Sequence, residues 1–215
     1  MTDSLVNPAP IPRARVVLLS GPSGSGKSSL AARTGLPTLQ LDDFYKDGDD
    51  PALPRLAARG GAVDWDSPQS WQADDAVAAI RQLAETGRAE VPVYSIPASA
   101  RTGTRTMELG QATAFIAEGI FAAEIAARCA AEGMLSDAIC LHNRLLTTAW
   151  RRFRRDVREG RKSVPFLVRR GWRLMRAERG IVAHQVDLGA CLCGSGEALD
   201  RVRSVADLQE PAPVA

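Results

Sequence analysis

The sequence predicts an α/β domain: a five-stranded, mostly parallel sheet with helices on both faces. Three observations predict it. An apolar, β-branched run, RVVLLS at 15–20, is stopped by Gly21. Similar runs recur along the chain, alternating with helical stretches. Between the first strand and the first helix stands the glycine-rich link GPSGSGKSS (21–29). Strands joined through helices pair in parallel, and the crossovers bury both faces of the sheet.

Each element follows in turn. Residues 1–14, with three prolines and no apolar core of a leader peptide, read as a loose N-terminal arm. The first strand, 15–20, leads into a helix over GKSSLAART that ends near Gly35-Leu36-Pro37. TLQL (38–41) is a second strand, and 42–67, rich in Asp, Gly and Pro, is a functional loop. Val77, Ile80 and Leu83 give 70–86 helical spacing. AEVPVYSI and TRTMEL read as a β-hairpin outside the main sheet. ATAFIAEG (112–119), DAICLH (137–142) and VDLGACLC (186–193) supply the remaining three strands, the first followed by an Ala-rich helix. Two basic helices fill the interval from about Leu145 to Gly180, and a last helix follows Gly194-Ser195-Gly196. One domain, 15–207, results, with an acceptor-side loop and hairpin at about 43–110, a lid at about 150–165 and a loose tail at 208–215.

The composition is that of a globular protein, 45% apolar and 24% charged. No apolar run nears the roughly 18 residues that span a bilayer. Cys129, Cys140, Cys191 and Cys193 include one C-x-C pair and no second pair at zinc-ligand spacing. They read as buried free thiols of a reducing, cytoplasmic setting. The net charge of +2 is unevenly spread: 144–179 carries thirteen Lys/Arg against three acids, so the remainder is acidic. Such a segment needs an anion. Arginines number 24 and lysines three, namely Lys27, Lys46 and Lys162, each in a candidate site segment.

Gly21-x-x-x-x-Gly26-Lys27-Ser28 matches the P-loop pattern in full. Backbone N–H groups of Gly21, Ser23, Gly24, Ser25, Gly26, Lys27, Ser28 and Ser29 are the candidates to cradle phosphates, where a Cβ would obstruct. Lys27 offers a point charge to the β/γ oxygens, and Ser28 a hydroxyl to Mg²⁺. Glu118, at a strand's carboxyl edge, is the second candidate for Mg²⁺, partly through water. GTPases are excluded because HNRLL (142–146) lacks the guanine-reading aspartate, and motor-type ATPases because Ala117-Glu118-Gly119 replaces their terminal aspartate.

LDDFYK (41–46) places Asp42 on the same sheet edge, where a small-molecule kinase needs a carboxylate to orient and deprotonate the attacking hydroxyl. Asp43 reads as its neighbour, near a metal or simply solvated. WRRFRRDVREGRKS (150–163) stacks Arg151, Arg155 and Arg158 on one helical face, with Arg161 on the adjacent one. A lid clamping the moving phosphoryl uses such residues, so Arg151, Arg155 and Arg161 join Asp42 and Lys27 as catalytic candidates. Nucleic acid is the competing partner, but the segment carries no RNA-binding motif.

Together these residues resemble the uridine kinase family of P-loop nucleoside kinases, and the related phosphoribulokinases and bacterial pantothenate kinases. The resemblance runs from Val16 to about Val205. GPSGSGKSS looks like the family's P-loop and LDDFYK like its Asp-Ser-Phe-Tyr segment. DWDSPQSW (64–71) is similar to Asp-x-Pro-x-x-Phe, VPVYS (91–95) to Pro-x-Tyr-Asp, AEGIF (117–121) to Glu-Gly-Ile, and RRDVREGR to the arginine lid. The resemblance implies a five-stranded parallel sheet with a small hairpin closing the acceptor side, and ATP- and Mg²⁺-dependent phosphorylation of a hydroxyl. Asp42 would be the base, Asp66 would meet the acceptor sugar, and Tyr94 would lie against the nucleobase. Tyr45, Ser99 and Arg101 complete the acceptor candidates.

The departures lie mainly on the acceptor side. Ser95 replaces an aspartate, Ser99 a histidine and Thr148 an arginine, and the lid is one residue short at Glu159-Gly160-Arg161. The expected acceptor is the 5′-hydroxyl of a pyrimidine nucleoside, and the alternatives are another small alcohol, of pantothenate or sugar type, or a non-catalytic ATP-binding regulator associated with nucleic acid. A homo-oligomer is compatible with the sequence.

Overall fold

The computed structural model describes residues 12–57, 60–142 and 179–209. The segment read as a lid, with Arg151, Arg155 and Arg161, lies outside these residues, as do Thr148 and most of the N-terminal arm and C-terminal tail. The protein is a P-loop α/β fold around one five-stranded parallel sheet. Its strands are β1 (Arg15–Ser20), β2 (Thr38–Gln40), β7 (Ala114–Glu118), β8 (Leu135–Leu141) and β9 (Cys191–Cys193), in the spatial order β2-β7-β1-β8-β9. β1 lies in the middle, paired with β7 (Leu19 opposite Glu118) and with β8 (Ser20 opposite Cys140).

The unbroken apolar run of β1 reflects burial on both faces. Successive side chains point to opposite sides, so each face receives every second residue. Val16 and Leu18 enter one core with α2 (Ala73–Thr86) and α3 (Ala126–Ala131). Val17 and Leu19 enter the other, with Leu30 of α1 (Lys27–Thr34) and Ala198, Leu199 and Val202 of α5 (Ser195–Gln209). Val77, Ile80 and Leu83 of α2 are fully buried, and Gly87 ends that helix in the left-handed conformation, its N–H bonded to Leu83 O at 2.9 Å.

The hairpin expected outside the sheet is β5 (Arg88–Ser95) paired antiparallel with β6 (Ala100–Glu108). The acidic loop contains a second, smaller ribbon, β3 (Arg55–Leu56) and β4 (Ala62–Val63).

Three of the boundaries that differ from the sequence reading bear on the site or on the sheet edge. Leu41 leaves the second strand and opens a 3-10 turn, Leu41–Phe44, that carries Asp42. The reason is tertiary: the Trp71 indole donates to Leu41 O at 2.8 Å, and Leu41 and Phe44 are both buried. The helix read over 70–86 begins at Ala73, because Pro68–Ser70 form a separate turn and Trp71 bridges to Tyr45. The last strand is shorter than 186–193. Residues 179–187 form helix α4, which holds Val186 and Asp187 and is stopped at Gly189 (φ +94°). Its anchor is buried Gln185, whose amide donates to Ile120 O at 2.8 Å and accepts from Cys140 Sγ at 3.1 Å.

Candidate active site

The P-loop occupies the turn between β1 and α1. Gly21, Gly24 and Gly26 all have positive φ (137°, 79° and 97°), a conformation that favours glycine. Space matters as well as φ: a Cβ on Gly21 would stand 2.6 Å from the carbonyl oxygen of Leu141, at the end of β8. Ser23, Ser28 and Ser29 are exposed along this loop and helix start, while Ser25 is buried.

The Lys27 side chain folds back over the loop, Nζ donating to Gly21 O at 2.9 Å and Pro22 O at 3.3 Å. It is 8% exposed. Burial pulls its pKa below the ordinary lysine value, while Glu118 and Asp42 nearby work the other way. The Ser28 hydroxyl donates to Glu118 Oε1 at 2.6 Å, so the first turn of α1 and the end of β7 share one hard-oxygen pair. Glu118 is 3% exposed. A hydroxyl and a buried carboxylate facing a glycine cradle are donors that suit a magnesium ion beside phosphates.

Asp42 comes to the same edge from the 3-10 turn after β2. Its carboxyl accepts from the Ile120 N–H, and its charge interacts with Lys27 and Glu118. The side chain reaches solvent, yet the protein around it strips enough water to push the carboxyl above its usual range; Lys27 opposes this shift and Glu118 reinforces it. Its approach depends on Gly119, where a Cβ would lie 2.8 Å from Leu41 Cβ and 3.1 Å from Asp42 Oδ1.

Beyond Asp42 lies an aromatic group centred on Tyr45. Its ring stands 5.8 Å from Trp65, 6.0 Å from Tyr94 and 5.9 Å from Phe121. The Tyr45 hydroxyl donates to Trp65 O at 3.4 Å and that of Tyr94 to Lys46 O at 3.2 Å. Burial first, then the charges of Asp42 and exposed Asp66, push the Tyr45 phenol well above its ordinary value, so it stays neutral. Such a group presents ring faces and edges to a flat ligand, next to the carboxylate.

The structure thus draws Lys27, Ser28, Asp42 and Glu118 together, with Tyr45, Tyr94 and Asp66 alongside. Asp43 ties the hairpin down: it accepts from the Tyr94 N–H at 3.2 Å and faces Arg105 at 3.9 Å. Ser99 sits in the hairpin turn at φ 47°, its carbonyl accepting from Gly48 N–H at 2.6 Å. The Arg101 amide donates to Asp47 at 2.7 Å, and its guanidinium to Asp75 of α2 at 3.1 Å. The sequence reading passed over Trp65, Phe121, Gly119 and the Ile120 N–H. Each lies inside or beside a quoted motif, DWDSPQSW or AEGIF, but its direction depends on the turn at 41–44.

No family model matches the chain. The chain is 32% identical to the uridine kinase of Saccharomyces cerevisiae over 116 residues, which is 50% of this chain and 22% of that protein. It is 33% identical to the uridine kinase of Schizosaccharomyces pombe over 117 residues, 51% of this chain and 25% of that one. The matched region therefore spans about a quarter of the length of these relatives. Among solved structures, a candidate fructose transport system kinase from Silicibacter sp. TM1040 aligns over 97% of this chain and 90% of its own, with a TM-score of 0.51 at 18% identity. That likeness concerns the fold, and the fold is the P-loop sheet described above. In fold the chain is a P-loop α/β protein, and about half of its sequence is similar to the two yeast uridine kinases.

Proposed function

We propose that this chain transfers the terminal phosphoryl of Mg²⁺-bound ATP to the 5′-hydroxyl of uridine or cytidine. One observation carries the reading: a carboxylate, Asp42, pinned by the Ile120 N–H beside buried Lys27, with an aromatic group on its far side. The names of the two yeast relatives support a nucleoside as acceptor. The cradle fits phosphates because its glycines leave no Cβ in the way. On this reading Lys27 and the loop N–H groups hold the phosphates, and Ser28 and Glu118 hold the magnesium ion. The bound metal would neutralise phosphate charge during transfer.

The chain's own residues supply the rest. Asp42 accepts the proton of the attacking hydroxyl as its oxygen bonds to the γ-phosphorus and the bond to the β–γ bridging oxygen breaks. The upward shift of its pKa strengthens it as a base, provided it is ionised before the acceptor binds. Tyr45, Tyr94, Trp65 and Asp66 orient the acceptor, and Arg151, Arg155 and Arg161 offset charge on the moving phosphoryl. The reaction would belong to pyrimidine salvage in the cytoplasm.

The test is ADP release against a panel of uridine, cytidine, purine nucleosides, pantothenate and simple sugars. Stimulation by pyrimidine nucleosides alone is the expected result. Stimulation by a sugar or pantothenate instead would overturn the acceptor, and no stimulation by any alcohol would overturn the kinase reading itself.

A further inference from the structure

A second cluster of ligating side chains lies at the opposite end of the sheet order from β2. Cys191 and Cys193 stand two residues apart on the edge strand β9, with Sγ atoms 3.6 Å from each other. The first turn of α5 brings Glu197 against them, so that the two sulfurs and a carboxylate oxygen all lie within 4.8 Å of one another. A tetrahedral zinc ion with Zn–S bonds of about 2.3 Å holds its sulfurs about 3.8 Å apart. The two thiols therefore already stand close to ligand spacing.

We propose that Cys191, Cys193 and Glu197 form a binding site for a divalent cation of the zinc type. Two thiolates select a borderline or soft ion over magnesium or calcium. Cys193 is buried, Cys191 half-buried and Glu197 exposed, so the ion enters past the carboxylate. Glu197 also lines an open groove of about 610 Å³ with Asp200 and Arg201. Asp137, in the same groove, is held by Arg201 through two hydrogen bonds of 2.9 Å.

A metal binds these sulfurs as thiolates, so loading releases protons and affinity rises with pH. A lone C-x-C carries no zinc spacing in the sequence, because the third ligand arrives from the next element after a glycine turn. The inference is independent of phosphoryl transfer.

The test uses the full-length, reduced, metal-stripped protein titrated with Co²⁺ and then Zn²⁺. One equivalent of Co²⁺ should produce a thiolate-to-metal charge-transfer band and tetrahedral visible bands. One equivalent of Zn²⁺ should displace them, and excess Mg²⁺ should not. C191S and C193S should abolish the charge-transfer band, whereas C129S and C140S, the remaining cysteines, should keep it. E197Q should weaken Co²⁺ binding by at least about 10-fold, a loss seen even for outer-shell partners. Absence of the band, or its survival in C191S, overturns the site, and unchanged affinity in E197Q overturns the three-ligand set. Should C193S fail to fold, the less buried C191S and E197Q still decide.

Discussion

The Ser28 hydroxyl donates to Glu118 Oε1 across 2.6 Å, joining two residues 90 positions apart. The bond crosses from the first turn of α1 to the end of β7. It forms because β1 and β7 are direct neighbours, with Leu19 opposite Glu118, so their carboxyl ends face one edge. On the proposed reading this pair organises the metal. E118Q should lower turnover about 10- to 100-fold, as loss of a metal's supporting partner does. The loss should be partly relieved by raising Mg²⁺ in an ADP-release assay, and a deficit insensitive to Mg²⁺ would remove Glu118 from that role.

Asp42 is the expected base. D42N should cut turnover by about 10²- to 10⁴-fold while ATP binding, read by titration calorimetry, stays close to that of the parent. Equal losses in binding and turnover would make Asp42 part of the phosphate site instead.

The same residue links stability to pH. Its folded pKa lies above the ordinary 3.8, chiefly through burial. A raised carboxyl pKa means the folded state holds the proton more tightly, so its favourable contribution is greatest in acid. That contribution is lost as pH rises from the unfolded value through the folded one. The Tm of D42N minus that of the parent should therefore become more positive across the mildly acidic range. Thermal unfolding at several pH values measures it, and a difference that shrinks with pH would reverse the sign argued here.

Gly119→Ala tests the approach of Asp42 to its partners. The new methyl would meet Leu41 Cβ at 2.8 Å and Asp42 Oδ1 at 3.1 Å, so the turn must move. The expected cost is about 1–3 kcal/mol of stability, with kcat falling and ATP affinity retained. Urea unfolding together with steady-state kinetics checks both; an unchanged kcat would show that Asp42 tolerates the shift.

Trp71→Phe isolates the hydrogen bond that holds the turn. The phenyl keeps contact with Phe121, now 5.9 Å away, but leaves Leu41 O without the indole donor. Losing one of the two hydrogen bonds to this buried carbonyl costs about 0.5–1.5 kcal/mol, readable as a lower urea midpoint with an unchanged slope.

Much of the site is legible in the sequence because its signals are local. Gly21, Gly24 and Gly26 are required by φ within one turn, Lys27 and Ser28 follow at fixed spacing, and the run 15–20 declares a strand buried on both faces. Glu118 ends a five-residue strand whose residues are all buried, and Tyr94 sits in its predicted hairpin. The less local features are harder to read. Asp43 looks like a companion to Asp42, yet it ties down the hairpin through the Tyr94 N–H. Val186 and Asp187 look like strand, yet Gln185 anchors them in a helix.

The sequence by itself determined the class of fold, the glycine turn after the first strand and the placement of Lys27 and Ser28 at its end, since backbone conformation and strand period are written over a few neighbouring residues. Tertiary structure alone decided which way Asp42 turns, what lies around Tyr45, and that Glu197 joins the C-x-C pair. Those outcomes depend on contacts such as Trp71 with Leu41 O and Gly119 with Asp42, made between elements that only packing brings together.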